Sequence, residues 1–200
     1  MTGHGVRYPA TSVAPAARHD SAGHGWSGLV LGATLVAIAL VAGLNFTFAV
    51  AVMPNLAGVD DHTFVTITQR FNENPVFPLS FTVALLLVVL ATVLQACLVR
   101  GPAVRWVMAA LVLYGVVLAI TGGFHIPLNE QINQVGDPGQ VADLSRVRNE
   151  FEAPWVVGNV VRTLFCIAAV AALARAHLLH GRQHNRRDSS RSARAARGRP

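Results

Sequence analysis

The chain contains no lysine; all 16 of its basic residues are arginine. That bias speaks to genome composition rather than mechanism. Charge of either sign is scarce. Only 13% of the 200 residues are charged, 52% are hydrophobic, and the mean hydropathy is +0.45. A soluble domain carries about a quarter charged residues, so an ordinary soluble protein is excluded. Cysteine is limited to Cys97 and Cys166, both inside apolar segments, where a free thiol behaves as a small hydrophobe. No spacing marks zinc or haem, and no disulfide is expected between the two. Neither β-barrel alternation nor a repeat of roughly 20–50 residues is present.

What the chain does have is four long apolar runs, at about 26–53, 76–99, 103–124 and 155–178. Each reaches the roughly 20 residues a helix needs to cross the hydrocarbon core. Backbone groups in lipid must be satisfied within their own element, so helices are the default. The expected fold is all-α: a four-helix transmembrane bundle with short interfacial helices in the outward loops. Residues 1–25, rich in Gly, Ala, Pro, His and Ser, are expected to be a disordered tail. Residues 26–179 form the membrane domain, and residues 180–200 are expected to be a basic disordered tail. The first apolar run comes too late, and is too long, for a cleavable signal peptide.

Arginine asymmetry sets the orientation. Loop 54–75 carries Asp60, Asp61 and Glu73 against Arg70, and loop 125–154 carries five carboxylates against Arg146 and Arg148. The turn after the second run holds Arg100 and Arg105, and eight arginines lie between Arg175 and Arg199. The positive-inside rule then places this turn and both termini in the cytoplasm of a multi-pass cell-membrane protein. The basic tail fits anionic lipid head groups, each cation contributing roughly 1 kcal/mol. The lipid bilayer is thus the expected partner, and nucleic acid is not, despite the pI near 10.9. No feature speaks to oligomeric state.

In the first outward loop, Asp60 or Asp61 can cap a short helix. Phe64, Ile67 and Phe71 recur there at helical spacing, which predicts an amphipathic helix lying at the interface. The third loop has turn chemistry at Gly136-Asp137-Pro138-Gly139, followed by an expected short helix over 141–151.

One charge lies deep in a span. Arg162 is seven residues past Trp155, roughly 10 Å below the outer end of its helix. A guanidinium there faces a bundle interior, a wet cavity or a partner. Trp155, Asn159 and Arg162 fall at i, i+4 and i+7, on one face. Asn45 sits at a similar depth in the first run, and Thr121 and His125 end the third. Each has a bland explanation. A lone membrane Asn such as Asn45 is most often a packing contact. Trp155 is most often a belt anchor, and Arg162 could pair with Glu130 or Glu152. His125 precedes Ile126-Pro127, and Pro127 is expected to end the span there and leave the imidazole at the boundary. Its ordinary pKa near 6.5 suits a base or an acid, and Asn129 can donate and accept. A metal held by His62, His125, Asp60, Asp61 and Glu130 is the less favoured use, since no local ligand pair such as HxxxH exists. No cofactor is expected. His177, His180 and His184 are expected on a solvated face or near lipid heads. Gly28 and Gly32, a GxxxG pair, predict close helix packing.

Four motifs together resemble the anthrone oxygenase-like membrane family. They are Pro54-Asn55-Leu56, Asn74-Pro75, Ile126-Pro127-Leu128-Asn129, and the run Trp155-Val156-Val157-Gly158-Asn159-Val160-Val161-Arg162-Thr163. The resemblance covers roughly residues 28–173, and the last two motifs carry most of it. It implies oxidation of an anthrone to an anthraquinone by O₂ without an obvious cofactor. In that reading His125 is the base, Arg162 and Asn159 stabilise the oxyanion, and Asn129 orients a hydrophobic small-molecule substrate. Asn45 and Trp155 would bind it. The competing reading is a non-catalytic binding or assembly protein whose buried arginine is structural. A transporter is disfavoured, since no broken pair of helices is visible.

Overall fold

The computed structural model describes residues 16–197. Among these there are no strands, and four helical stretches are long and apolar enough to span a membrane. The first is α1 (Ala16–Thr47), which continues through a widened π turn, Phe48–Val52, into α2 (Met53–Leu56). The second is α4 (Val76–Leu94) with a π turn at Gln95–Val99. The third is α5 (Val104–Ile120), a π turn at Thr121–His125, and α6 (Ile126–Gln134). The fourth is α7 (Leu144–Arg197). Between the first two lies α3 (Asp61–Asn72).

The bundle core is built largely from small side chains. Ala84, Ala91, Ala110, Ala169 and Ala176 are fully buried beside Leu31, Ile38, Val88 and Tyr114. Small residues let helix backbones approach closely, which is how packing holds helices together in lipid. The outside is apolar: Leu29, Val36, Leu86, Val112, Leu164 and Ile167 are all exposed. Such a surface is stable only against acyl chains.

Two prolines shape the loop end. Proline has no N–H to give and clashes with the carbonyl four residues back. Pro54 and Pro127 each follow a π turn by one residue, where the helix shifts to i→i+5 bonding: the Met53 N–H donates to Phe48 O and the Ile126 N–H to Thr121 O. The expected break at Pro127 is therefore absent. The widened turn absorbs the proline, the third helix runs on to Gln134, and His125 lies buried inside it. Nor is there a separate helix over 141–151. Asp143 accepts from the Arg146 N–H at 3.1 Å and starts α7, which passes through Pro154 into the fourth span.

Helix α3 begins at Asp60, which accepts from the Thr63 N–H at 3.0 Å and from its hydroxyl at 2.7 Å. These two bonds hold the Asp60 carboxyl below its ordinary value of 3.8. The helix is amphipathic as expected, and its apolar stripe is turned inward onto protein. Phe64 and Val65 are fully buried against Ile132, Phe151 and Trp155, with Ile67 and Phe71 packed alongside. Gln69 and Asn72 bind α6 by donating to Ile132 O and Asn133 Oδ1. Protein covers the stripe because α6 and α7 offer it an apolar surface. The two loops together form a cap on the bundle.

At the other end, where α1 begins and α7 ends, Gly28 packs against His180 and Gly32 faces His177. His180 does not sit on a solvated face. It is buried, with Nδ1 3.1 Å from Gln95 Nε2, which in turn donates to Ser27. Of the expected N-terminal tail, residues 1–15 lie outside the described residues, while 16–25 belong to α1. Helix α7 likewise continues past 180 to Arg197. Residues 182–197 are rich in Arg and Ala, which have high helix propensity, and have neither Gly nor Pro.

Candidate functional site

Under the cap, the four spans leave a cavity of about 490 Å³, within the usual range for small-molecule sites. Arg162, His125, Thr121, Asn45, Asn129 and Trp155 all line it, with Phe48, Phe71, Phe77 and Phe81 as aromatic walls. The lining residues Pro78, Thr82, Gly122 and Ile126 are exposed, so the cavity opens sideways between α4 and the third helix. Asn72, Asn133 and Glu130 form a polar edge beneath the cap.

Arg162 is held on neutral groups. Nη1 donates to Thr121 Oγ1 at 3.3 Å, Nη2 to Asn159 Oδ1 at 3.0 Å, and the guanidinium lies 5.4 Å over the Phe81 ring. Its Nε is buried with no partner. No carboxylate pairs with it among the described residues, and the suggested partner Glu152 is taken by Arg148. A buried cation with neither counter-ion nor full hydrogen bonding is costly, and here it borders an open volume.

Asn159 sets that guanidinium. Its side chain accepts from Arg162 and donates to Asn45 O at 2.9 Å, and it lies behind the cavity wall rather than in it. Asn45 does reach the wall, and its amide also donates to Cys166 Sγ at 3.6 Å. Trp155, 8% exposed, is no belt anchor: its Nε1 donates to Asn129 Oδ1 at 3.0 Å, and its ring stands edge-on to His125 at 5.4 Å.

Both nitrogens of His125 are buried without a hydrogen-bond partner. The carbonyls of Ile120 and Trp155 lie near the ring but outside hydrogen-bond geometry. The imidazole meets rings instead, with Phe124 edge-on at 5.6 Å and Trp155 edge-on at 5.4 Å. Gly158 makes room for this. A Cβ there would come within 2.6 Å of Phe124 and 2.9 Å of His125.

The structure thus brings Arg162, His125, Asn129, Asn45 and Trp155 to one cavity, with Asn159 directly behind. It does not bring His62 or Asp60 there. No group of three His, Cys, Asp or Glu side chains converges among the described residues. Sequence reasoning missed the phenylalanine walls and Gly158. Phe77 and Phe81 do stand four apart on α4, but nothing local distinguishes them from lipid-facing phenylalanines.

The anthrone oxygenase family model matches residues 69–172, just over half of the chain. The chain belongs to the anthrone oxygenase family. The matched stretch contains Asn74-Pro75, the Ile126–Asn129 motif and the Trp155–Thr163 run, while Pro54-Asn55-Leu56 precedes it. No curated protein and no solved structure matches the chain.

Proposed function

We propose that this family member is a membrane oxygenase that uses O₂ directly, without a bound cofactor, on hydrophobic aromatic substrates of the anthrone type. The observation that carries the reading is the pairing, on one aromatic-walled cavity, of an incompletely bonded guanidinium with an unpartnered imidazole. A purely structural Arg162 would be fully paired with no void beside it; that favours a site over the assembly-protein reading.

The chemistry follows from those two groups. His125 takes a proton from the benzylic CH₂ opposite the ketone. The resulting enolate carries its charge on oxygen, where Arg162 stabilises it, a contribution that is largest where water is scarce. The electron-rich enolate gives one electron to O₂, the radical pair joins at the benzylic carbon as a peroxide anion, and the His125 imidazolium returns its proton to form the hydroperoxide. Loss of water leaves the second ketone. One anthrone and one O₂ become one anthraquinone and one water. Asn159 holds the guanidinium, Asn129 and Trp155 orient the substrate, and Asn45 completes the wall. The sideways opening suits a substrate and an oxidant that both partition into lipid. Applying the positive-inside rule, we place both termini in the cytoplasm and the cavity in the outer half of the cell membrane.

The test is oxygen uptake by protein purified in uncharged detergent, with 1,8-dihydroxyanthrone as probe. Uptake above the spontaneous rate, one O₂ per quinone formed, is expected, with a loss of about 100-fold or more in His125→Ala. Uptake no faster than in protein-free buffer would end the proposal.

A further inference from the structure

A second cavity lies at the opposite end of the bundle. Its volume is about 360 Å³, and Arg182, Gln183, Arg186, Arg187 and Ser190 line it together with the apolar Leu179 and Pro102. The α7 residues fall at i, i+3, i+4, i+7, i+8 and i+11 from Leu179, so they form one face of the helix. That face packs onto the turn before α5, where the Gln183 amide lies against Gly101 and would have to move to admit a side chain there. Arg182 and Arg186 have no ion-pair partner among the described residues. Trp26 and Trp106 are both exposed at this end of the bundle; tryptophan gathers at the boundary between acyl chains and head groups.

We propose that this groove is a binding site for an anionic phospholipid, with the phosphate held by Arg182 and Arg186. Guanidinium forks match phosphate geometry. Leu179 and Pro102 give the start of the acyl chains an apolar floor, so the site takes a lipid rather than a free anion. Basic pockets between transmembrane helices bind acidic head groups by this logic. The site is remote from the loop-end cavity and does not depend on the oxygenase reading.

The experiment is thermal unfolding of the full chain in uncharged detergent, titrated separately with phosphatidylglycerol, phosphatidylcholine and inorganic phosphate. Native mass spectrometry counts the lipid retained. Phosphatidylglycerol is expected to raise Tm saturably by several degrees with one lipid retained, and the other two to leave Tm unchanged. The double variant Arg182→Gln/Arg186→Gln should unfold at the wild-type temperature without lipid and lose the shift. Arg105→Gln/Arg197→Gln removes the same charge elsewhere and should keep it. An equal shift with phosphatidylcholine or with phosphate overturns the assignment, as does a phosphatidylglycerol shift that survives in the groove variant or vanishes in the control.

Discussion

Two arginines on one helix, fourteen residues apart, show opposite uses of the same side chain. Arg148 spends every donor. Nε binds Glu152, Nη1 binds Asp61 and Val59 O, and Nη2 binds Leu56 O and Ala57 O, with the Phe64 ring 4.5 Å away. It ties the end of the first span and the start of α3 to α7. Arg162 is the more deeply placed in its span, yet it has two neutral partners and an idle Nε. Removing Arg148 strands carbonyls and carboxylates; removing Arg162 relieves an unpaired buried charge. Arg148→Gln should therefore lose stability by about 1–3 kcal/mol, discounted for the partial exposure of Asp61 and Glu152. Arg162→Gln should melt at or above the wild-type temperature. Thermal unfolding in detergent separates them, and a large destabilisation by Arg162→Gln would make that residue structural after all. Gly158 offers a third substitution. Ala there must displace Phe124 and His125, at a cost of about 1–3 kcal/mol. Turnover is expected to fall further than that loss of stability explains. Unchanged turnover would detach the imidazole from the chemistry.

The elements show where local rules were decisive and where they failed. The four spans follow from apolar length alone, and the Asp60 cap from its position before a helical stripe. The run-on of the third helix through Pro127 was not legible. A proline signals a break in an isolated helix, but here the Thr121–His125 π turn satisfies the backbone by shifting the bonding by one residue. That shift is also what keeps His125 inside the bundle instead of at its rim. The fate of the α3 stripe was equally hidden: Phe64, Ile67 and Phe71 read the same whether lipid or α6 covers them. Acid should loosen this cap first. Asp60 and Asp143 both sit below their ordinary value of 3.8, held mainly by hydrogen bonds from Thr63 and Ser145. A depressed carboxylate stabilises fully above its unfolded pKa, and that contribution disappears as pH falls through the lower folded value. Amide exchange at Thr63 and Arg146 should accelerate below about pH 4 relative to its intrinsic rate, while the spans stay protected. Equal protection of both amides at pH 2 and pH 6 would count against the caps.

At the scale of the whole molecule the bundle is polarised. A cap, an aromatic cavity and a lone guanidinium occupy the loop end; a buried Ser27–Gln95–His180 chain and a basic groove occupy the other. The first of these was partly readable, because Trp155, Asn159 and Arg162 share a face and their spacing alone aims them together. The second was not, since His180 looked like one of several polar residues on a basic helix end. Only packing against Gly28 and Gln95 reveals its burial. The account rests on the loop-end cavity being a place where negative charge develops on a substrate. The most direct measurement is steady-state oxidation of 1,8-dihydroxyanthrone by Arg162→Gln that has the wild-type melting temperature. Turnover about 100-fold or more below wild type is predicted, the usual consequence of removing one oxyanion-stabilising donor. Turnover equal to wild type in that well-folded variant would contradict it.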